Sequence, residues 1–189
     1  MAMIPIATLK EIFKGVSSFR FASTVQATLA TAAWEFELPI VSDSFNVTQA
    51  NGTTTPTKVL GLAGAWCVSG EPGDIAIAFT IPSIKDSLLD VFYTKSALSL
   101  ATADETQGAV TGGFEGYGYF LKTDMLEGSA LIISENQNYA LFIKNIQGYP
   151  ALVLADGNGS PMGVSVNGLV VGGNAECDFA LLKWTPNVI

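Results

Sequence analysis

Between Trp34 and Ile40 apolar and acidic residues alternate, with Trp34, Phe36, Leu38 and Ile40 on one side and Glu35 and Glu37 on the other. A period of two puts the carboxylates on one face of a strand and the apolar groups on the opposite face. Pro39 places that strand at a sheet edge or near its own end. The alternation begins earlier, at Phe19 and Phe21, and returns at Ile75, Ile77, Phe79 and Ile81, where small Ala76, Ala78 and Thr80 occupy the other face. Val59–Ser69 and Asp74–Ile81 read as a strand pair separated by Gly70-Glu71-Pro72-Gly73. Tyr117, Tyr119 and Leu121 resume the period. Further strands fit Ser129–Ser134, Tyr139–Ile146, Ala151–Ala155, Met162–Val171 and Cys177–Trp184, with Asp156-Gly157-Asn158-Gly159 as a hairpin turn.

Helical spacing is confined to two places. Thr8 and Glu11 form a capping-box pattern, and Leu9, Ile12, Phe13 and Val16 then repeat at helical intervals. A helix this short with one apolar stripe needs a surface to dock on, either its own domain or a neighbouring subunit. The second helix is expected after Ser83 as cap, with Asp86 three residues on and Ile84, Leu88, Val91 and Phe92 as its buried stripe. Residues 42–58 form a long polar, turn-rich segment, and loops of that length in compact domains usually have a task. Residues 96–116 are looser and Gly-rich. The total is roughly ten strands and two helices. The expected fold is therefore mainly β, a sandwich or barrel with one flanking helix and a short N-terminal helix. Residues 1–16 are expected to form an arm or short helix, and 17–189 a single domain.

Composition sharpens this picture. Of 189 residues, 49% are apolar and only 14% are charged, against about 25% charged in an average globular chain. A surface so poor in charge favours coverage by partners. The charge that exists is acidic, 9 Lys plus Arg against 17 Asp plus Glu, a net −8. Without a basic cluster the chain is poorly suited to grip phosphates. Lys10, Glu11 and Lys14 interrupt the apolar stretch an export signal needs, and the charge-free run from Phe21 to Trp34 is too short and polar to span a bilayer. No membrane role is expected. Cys67 and Cys177 are expected to be two buried thiols rather than a disulfide. Asn46-Val47-Thr48, Asn51-Gly52-Thr53 and Asn158-Gly159-Ser160 match the glycosylation sequon and read as turn chemistry. Gly64, Asp74, Ala76 and Pro82 recur 104 residues later as Gly168, Asp178, Ala180 and Pro186, an echo that hairpin punctuation accounts for.

The chain contains no His, which removes the usual general base and the commonest metal ligand. It has no Gly-rich phosphate loop and no nucleophile elbow. Glu35 with Glu37, or Asp104 with Glu105, could supply a carboxylate pair for glycoside cleavage, but a solvated strand face and a solvated loop explain them better. Asp156, Asn158 and Ser160 are spaced like the start of a calcium loop, yet Asn167 stands where the bidentate Glu belongs. The expectation is a non-enzymatic protein without cofactor or metal.

The order of elements resembles that of a tail tube protein of long-tailed bacteriophages: a polar segment at 42–58, a strand at Asp74–Ile81, a helix from Ser83 to Thr94, then more strands. The closing stretch is similar too, with Tyr149-Pro150-Ala151-Leu152-Val153-Leu154, Asp156-Gly157-Asn158-Gly159, a hairpin around Gly168 and a last strand ending at Trp184. The resemblance covers most of 30–186 and rests on layout, since the family has no diagnostic short motif. It implies a virion structural protein that closes into hexameric rings, stacked into a tube through which DNA passes without being specifically bound. It further implies contact with other tail proteins and assembly in the bacterial host cytoplasm. Carried onto this chain, Asn46, Thr48, Asn51, Thr53 and Thr55 become the ring-stacking loop, Glu35 and Glu37 face the lumen, and Leu9, Ile12 and Phe13 form an arm on a neighbour. Another assembling phage subunit is one alternative. A carbohydrate-binding sandwich using Trp34, Trp66, Trp184, Tyr117 and Tyr119 is another.

Overall fold

The computed structural model describes residues 13–41, 43–61, 63–102, 104–107, 110–121, 125–153, 163–173 and 176–185. It is a mainly β, antiparallel sandwich with a single helix among the described residues. The helix expected at Leu9–Val16 lies partly outside them, with Leu9 and Ile12; its described part, Phe13–Val16, is not helical, since Gly15 turns the chain at φ +63° and the Lys14 carbonyl is taken up by the Glu135 amide at 3.1 Å.

One curled sheet supplies both layers. Its order is β2 (Phe36–Leu38), β1 (Ser18–Ala22), β11 (Leu126–Ile133), β12 (Tyr139–Val153), β13 (Gly163–Val170), β6 (Ile75–Ile81) and β3 (Asn46–Gln49), with β14 (Phe179–Lys183) also on β12. β12 belongs to both layers. Residues 139–143 lie between β11 and β14, while 146–153 pair with β13. The sheet thus folds back on itself, and Phe19 of β1 meets Phe79 of β6 across the core at 4.6 Å between ring centroids. Both aromatics are buried, with Phe21, Ile77, Ile81, Ile132, Ile143, Ile146, Val164 and Val166. The inward series of β6 is the one its alternation predicts.

The bend in β12 has an identifiable clamp. The β11–β12 pairing shifts register between Gly128 and Ala130, where Lys144 and Asn145 of β12 stand opposite Ser129 alone. Ser129, fully buried there, donates through Oγ to the Lys144 carbonyl at 2.5 Å and accepts from the Gln26 amide at 2.7 Å. Ser129→Ala would orphan both backbone groups. It is expected to cost about 1–3 kcal/mol, read as a lower denaturation midpoint with an unchanged m-value.

Several boundaries differ from the sequence reading. Tyr139–Ile146 and Ala151–Ala155 are not two strands, because β12 runs straight through Pro150. Beyond Gly148 this strand pairs only with β13 among the described residues, and proline, lacking an N–H, is tolerated where one side of a strand needs no donor. The helix α1 spans Asp86–Phe92, with Lys85 and not Ser83 at its N-cap. The Ser83 hydroxyl instead accepts from the Lys85 amide at 3.3 Å. Ile84 therefore precedes the helix and is exposed, while Leu88 and Phe92 are buried and Phe92 stacks on Phe21 at 6.5 Å. Cys67 and Cys177 are free thiols, but neither is buried, Cys67 being fully on the surface.

Candidate assembly surfaces

The polar segment 42–58 is not a loop. It contains β3 and β4 (Thr53–Thr57), and β4 pairs with β5 (Cys67–Glu71). Threonine and valine are β-branched and favour extended backbone, which the turn residues Asn51 and Gly52 do not overcome. The two pairings keep one register, Asn46 opposite Ala78 and Thr57 opposite Cys67, and across the gap between them the Ala50 amide donates to the Asp74 carbonyl at 2.9 Å. The result is a single antiparallel ribbon. Its inner half, β3 with β6, is sheet edge; its outer half, β4 with β5, stands away from the sandwich with every residue exposed.

Asn46 and Thr48 lie on β3, facing outward over Ala76 and Ala78, which line one hollow with them. Asn51 sits at the junction, and Thr53 and Thr55 are on the projecting half. The structure thus brings all five onto one ribbon, but splits them between its root and its stalk. Sequence reasoning missed the tip. Val59–Ser69 is not a strand: Gly61 adopts φ +88°, and strand resumes only at Cys67. Val59, Leu60, Trp66 and Val68 are left in solvent, Trp66 at 67% of its full exposure. A polar stalk ending in apolar residues is unusual for a free surface. The signal was the apolar run 59–68 interrupted by Gly61 and Gly64.

The outer edge of β3–β4 is equally telling. No described strand pairs with it, and from Asn46 to Thr57 it carries no charged residue. Natural edges are usually blunted by Lys, Pro or bulges. Here only Pro56 interrupts a run of open backbone donors and acceptors.

A second ribbon rises from α1. β7 (Thr94–Ala101) pairs with β10 (Glu115–Phe120), and β8 (Glu105–Gln107) with β9 (Val110–Gly112) carries it outward. This is the segment 96–116 that reads as loose in sequence. Leu98, Leu100, Phe114 and Phe120 are exposed on it, Phe120 at 62%. Its root is fastened electrostatically. Lys95 lies 3.6 Å from the Asp90 carboxylate and 3.8 Å from the Tyr117 ring centroid. The Tyr119 hydroxyl donates to Asp86 at 3.3 Å. Desolvation, then the negative charges of Asp86 and Asp90, push that phenol up to about 12.

Glu35 and Glu37 share one exposed face, as the alternation requires, with Phe36 and Leu38 turned inward. Glu35 accepts from the Ser23 hydroxyl at 2.6 Å and Glu37 from the Ser18 hydroxyl at 2.5 Å. Arg20 stands opposite Glu37 in register, so this face sets two carboxylates against one guanidinium. Trp34 packs edge-on to Phe142, whereas Trp184 is exposed in a shallow groove beside Arg20, Glu37 and Asn138. Asp156, Asn158 and Ser160 lie outside the described residues. Among the described residues, no helix is long and apolar enough to cross a membrane.

No protein-family model matches the chain, and no curated protein matches it in sequence.

Proposed function

We propose that the chain is a structural subunit that assembles with copies of itself into rings, and that the rings stack into a bacteriophage-type tail tube for DNA passage. The observation that carries this reading is the projecting ribbon 46–81, with its open charge-free edge, polar stalk and apolar tip. A two-stranded hairpin alone is marginal in water, and two such ribbons with exposed Trp, Phe and Leu are costly ornaments for a solitary molecule. Both become stable when a neighbour covers the tips and pairs the edges. A head-to-tail contact that closes yields a ring, and stacking of rings yields a tube.

In that arrangement the β3–β4 edge pairs between subunits and the tip 58–68 reaches the adjacent ring. The acidic face of Glu35 and Glu37 lines the passage, where like charge keeps phosphates from sticking. Other tail proteins are the remaining partners, and assembly takes place in the bacterial cytoplasm. The test is electron microscopy of the purified protein over a concentration series, with mass measured in solution. Rings or tubes with a central hole are the expected result; a monomer at every concentration, with no assembly on adding preformed tube ends, would sink the reading. Changing Glu35→Lys and Glu37→Lys together is expected to leave assembly intact but make tubes retain DNA at low salt, assayed by co-sedimentation.

A second reading, a glycan-binding sandwich, has one observation in its favour: exposed Trp184 beside Arg20, Glu37 and Asn138. The same mass measurement separates it, since it requires no assembly.

A further inference from the structure

The sandwich is open at one end, beside Phe13. Leu141, Phe179 and Leu181 on one layer face Val47, Ile75 and Val170 on the other across a groove of about 400 Å³. By strand alternation these side chains point toward the core: Leu141, Ile143, Phe179 and Leu181 fall on one side of paired β12 and β14, and Ile143 is buried. Yet Phe179 is 44% exposed and Leu181 72%. No charged side chain lines the groove among the described residues. Leucine and phenylalanine that face a core and remain in water mark a surface that something apolar covers.

The same chain carries a projection of matching character. From Val59 to Val68 it holds no charged residue, and Leu60 and Trp66 at the tip of the first ribbon stand free of the sandwich. Tip and groove cannot meet within one molecule. Val47 forms part of the groove wall and Thr57 ends the same ribbon; at about 3.3 Å per strand residue the ribbon carries its tip roughly 30 Å from that wall. Two grooves cannot fill each other, because both are concave, and two tips meeting would leave both grooves wet. A tip entering the groove of another copy satisfies both surfaces at once. A tryptophan enclosed in an apolar pocket is also the kind of anchor on which protein contacts depend.

We propose that the tip of one copy, led by Leu60 and Trp66, seats in the open end of a second copy's sandwich, against Leu141, Phe179 and Leu181. Such a contact rests on the self-assembly proposed above and supplies its head-to-tail joint. Each copy offers one tip and one groove, so the contact is heterologous and repeats from copy to copy.

Cross-linking of mixed full-length chains tests it, in a Cys67→Ser, Cys177→Ser background. One chain carries Leu60→Cys and the other Leu181→Cys, and a short bismaleimide is added over the concentration series used for microscopy. The expected product joins Leu60→Cys to Leu181→Cys between chains, identified by mass of the linked peptides, and is lost when Thr55→Cys on the stalk replaces Leu60→Cys. Links only between like chains, or no links, would overturn the proposal. So would a Leu181→Cys thiol that resists a simple maleimide in dilute protein, since the groove would then be filled within one chain. A second variant reads the contact without a cross-linker. Leu181→Arg changes an exposed side chain, so it should melt as the wild type does but no longer assemble in sedimentation; assembly at the wild-type concentration would count equally against the contact. Tip-to-groove links without rings would leave the contact and remove the tube, whereas rings without those links would leave the tube and remove the contact.

Discussion

Replacing residues 54–70 with an Asn-Gly turn is expected to abolish tubes while leaving the sandwich folded. Thr53 and Glu71 are direct partners at the base of the excised part, and a two-residue Asn-Gly loop closes such a pair as a type I′ turn. Every described residue removed is exposed, and Leu62 lies outside the described residues. The loss of buried area is therefore small, and exposed changes away from the core usually move stability by about 0.5 kcal/mol or less. Thermal melting followed by circular dichroism should be nearly unchanged. Assembly should fail, because the variant loses Leu60, Trp66 and Val68 together with the outer length of open edge. Tubes of ordinary length from this variant would remove the ribbon from the assembly mechanism. A cut through 45–55 would not serve, since β3 is an edge strand of the sandwich and Phe45 contacts Phe19 at 6.2 Å.

Phe79→Ala is expected to have the opposite profile, destabilising the subunit itself. Phe79 is 2% exposed and joins the two layers through Phe19. Truncating a buried Phe to Ala typically costs about 3–5 kcal/mol, the lost transfer energy plus a cavity that the surroundings only partly close. For a chain of this size each kcal/mol lowers the melting temperature by about 2–4 °C. A drop of less than about 3 °C would mean that the layers are not held together at this contact. The two variants together separate folding from assembly: one removes an exterior device, the other an interior joint.

The sequence carried the core well because burial leaves a periodic trace. Ile75, Ile77, Phe79 and Ile81 alternate with small residues, and all four turn inward in the structure. Glu35 and Glu37 share a face for the same reason. Ribbons projecting into solvent leave a weaker trace, since neither face of β4–β5 is buried within the subunit. Their threonines and glycines read as loop, and the apolar tip reads as strand. The N-cap of α1 was also misplaced, because Pro82 and the extended Lys85 delay the helix past the serine that sequence favours.

Taken alone, the sequence determined the mainly β class, the inward faces of β1, β2 and β6, the shared face of the two glutamates and the acidic balance. Those properties follow from local alternation and from composition, which need no knowledge of neighbours. Only the tertiary structure decided that β12 serves both layers, that 46–81 is one continuous ribbon and that the sandwich is open beside Phe13. Each of these depends on which strand lies next to which, and hydrogen-bond register between residues far apart in the chain is not written in the pattern of either partner.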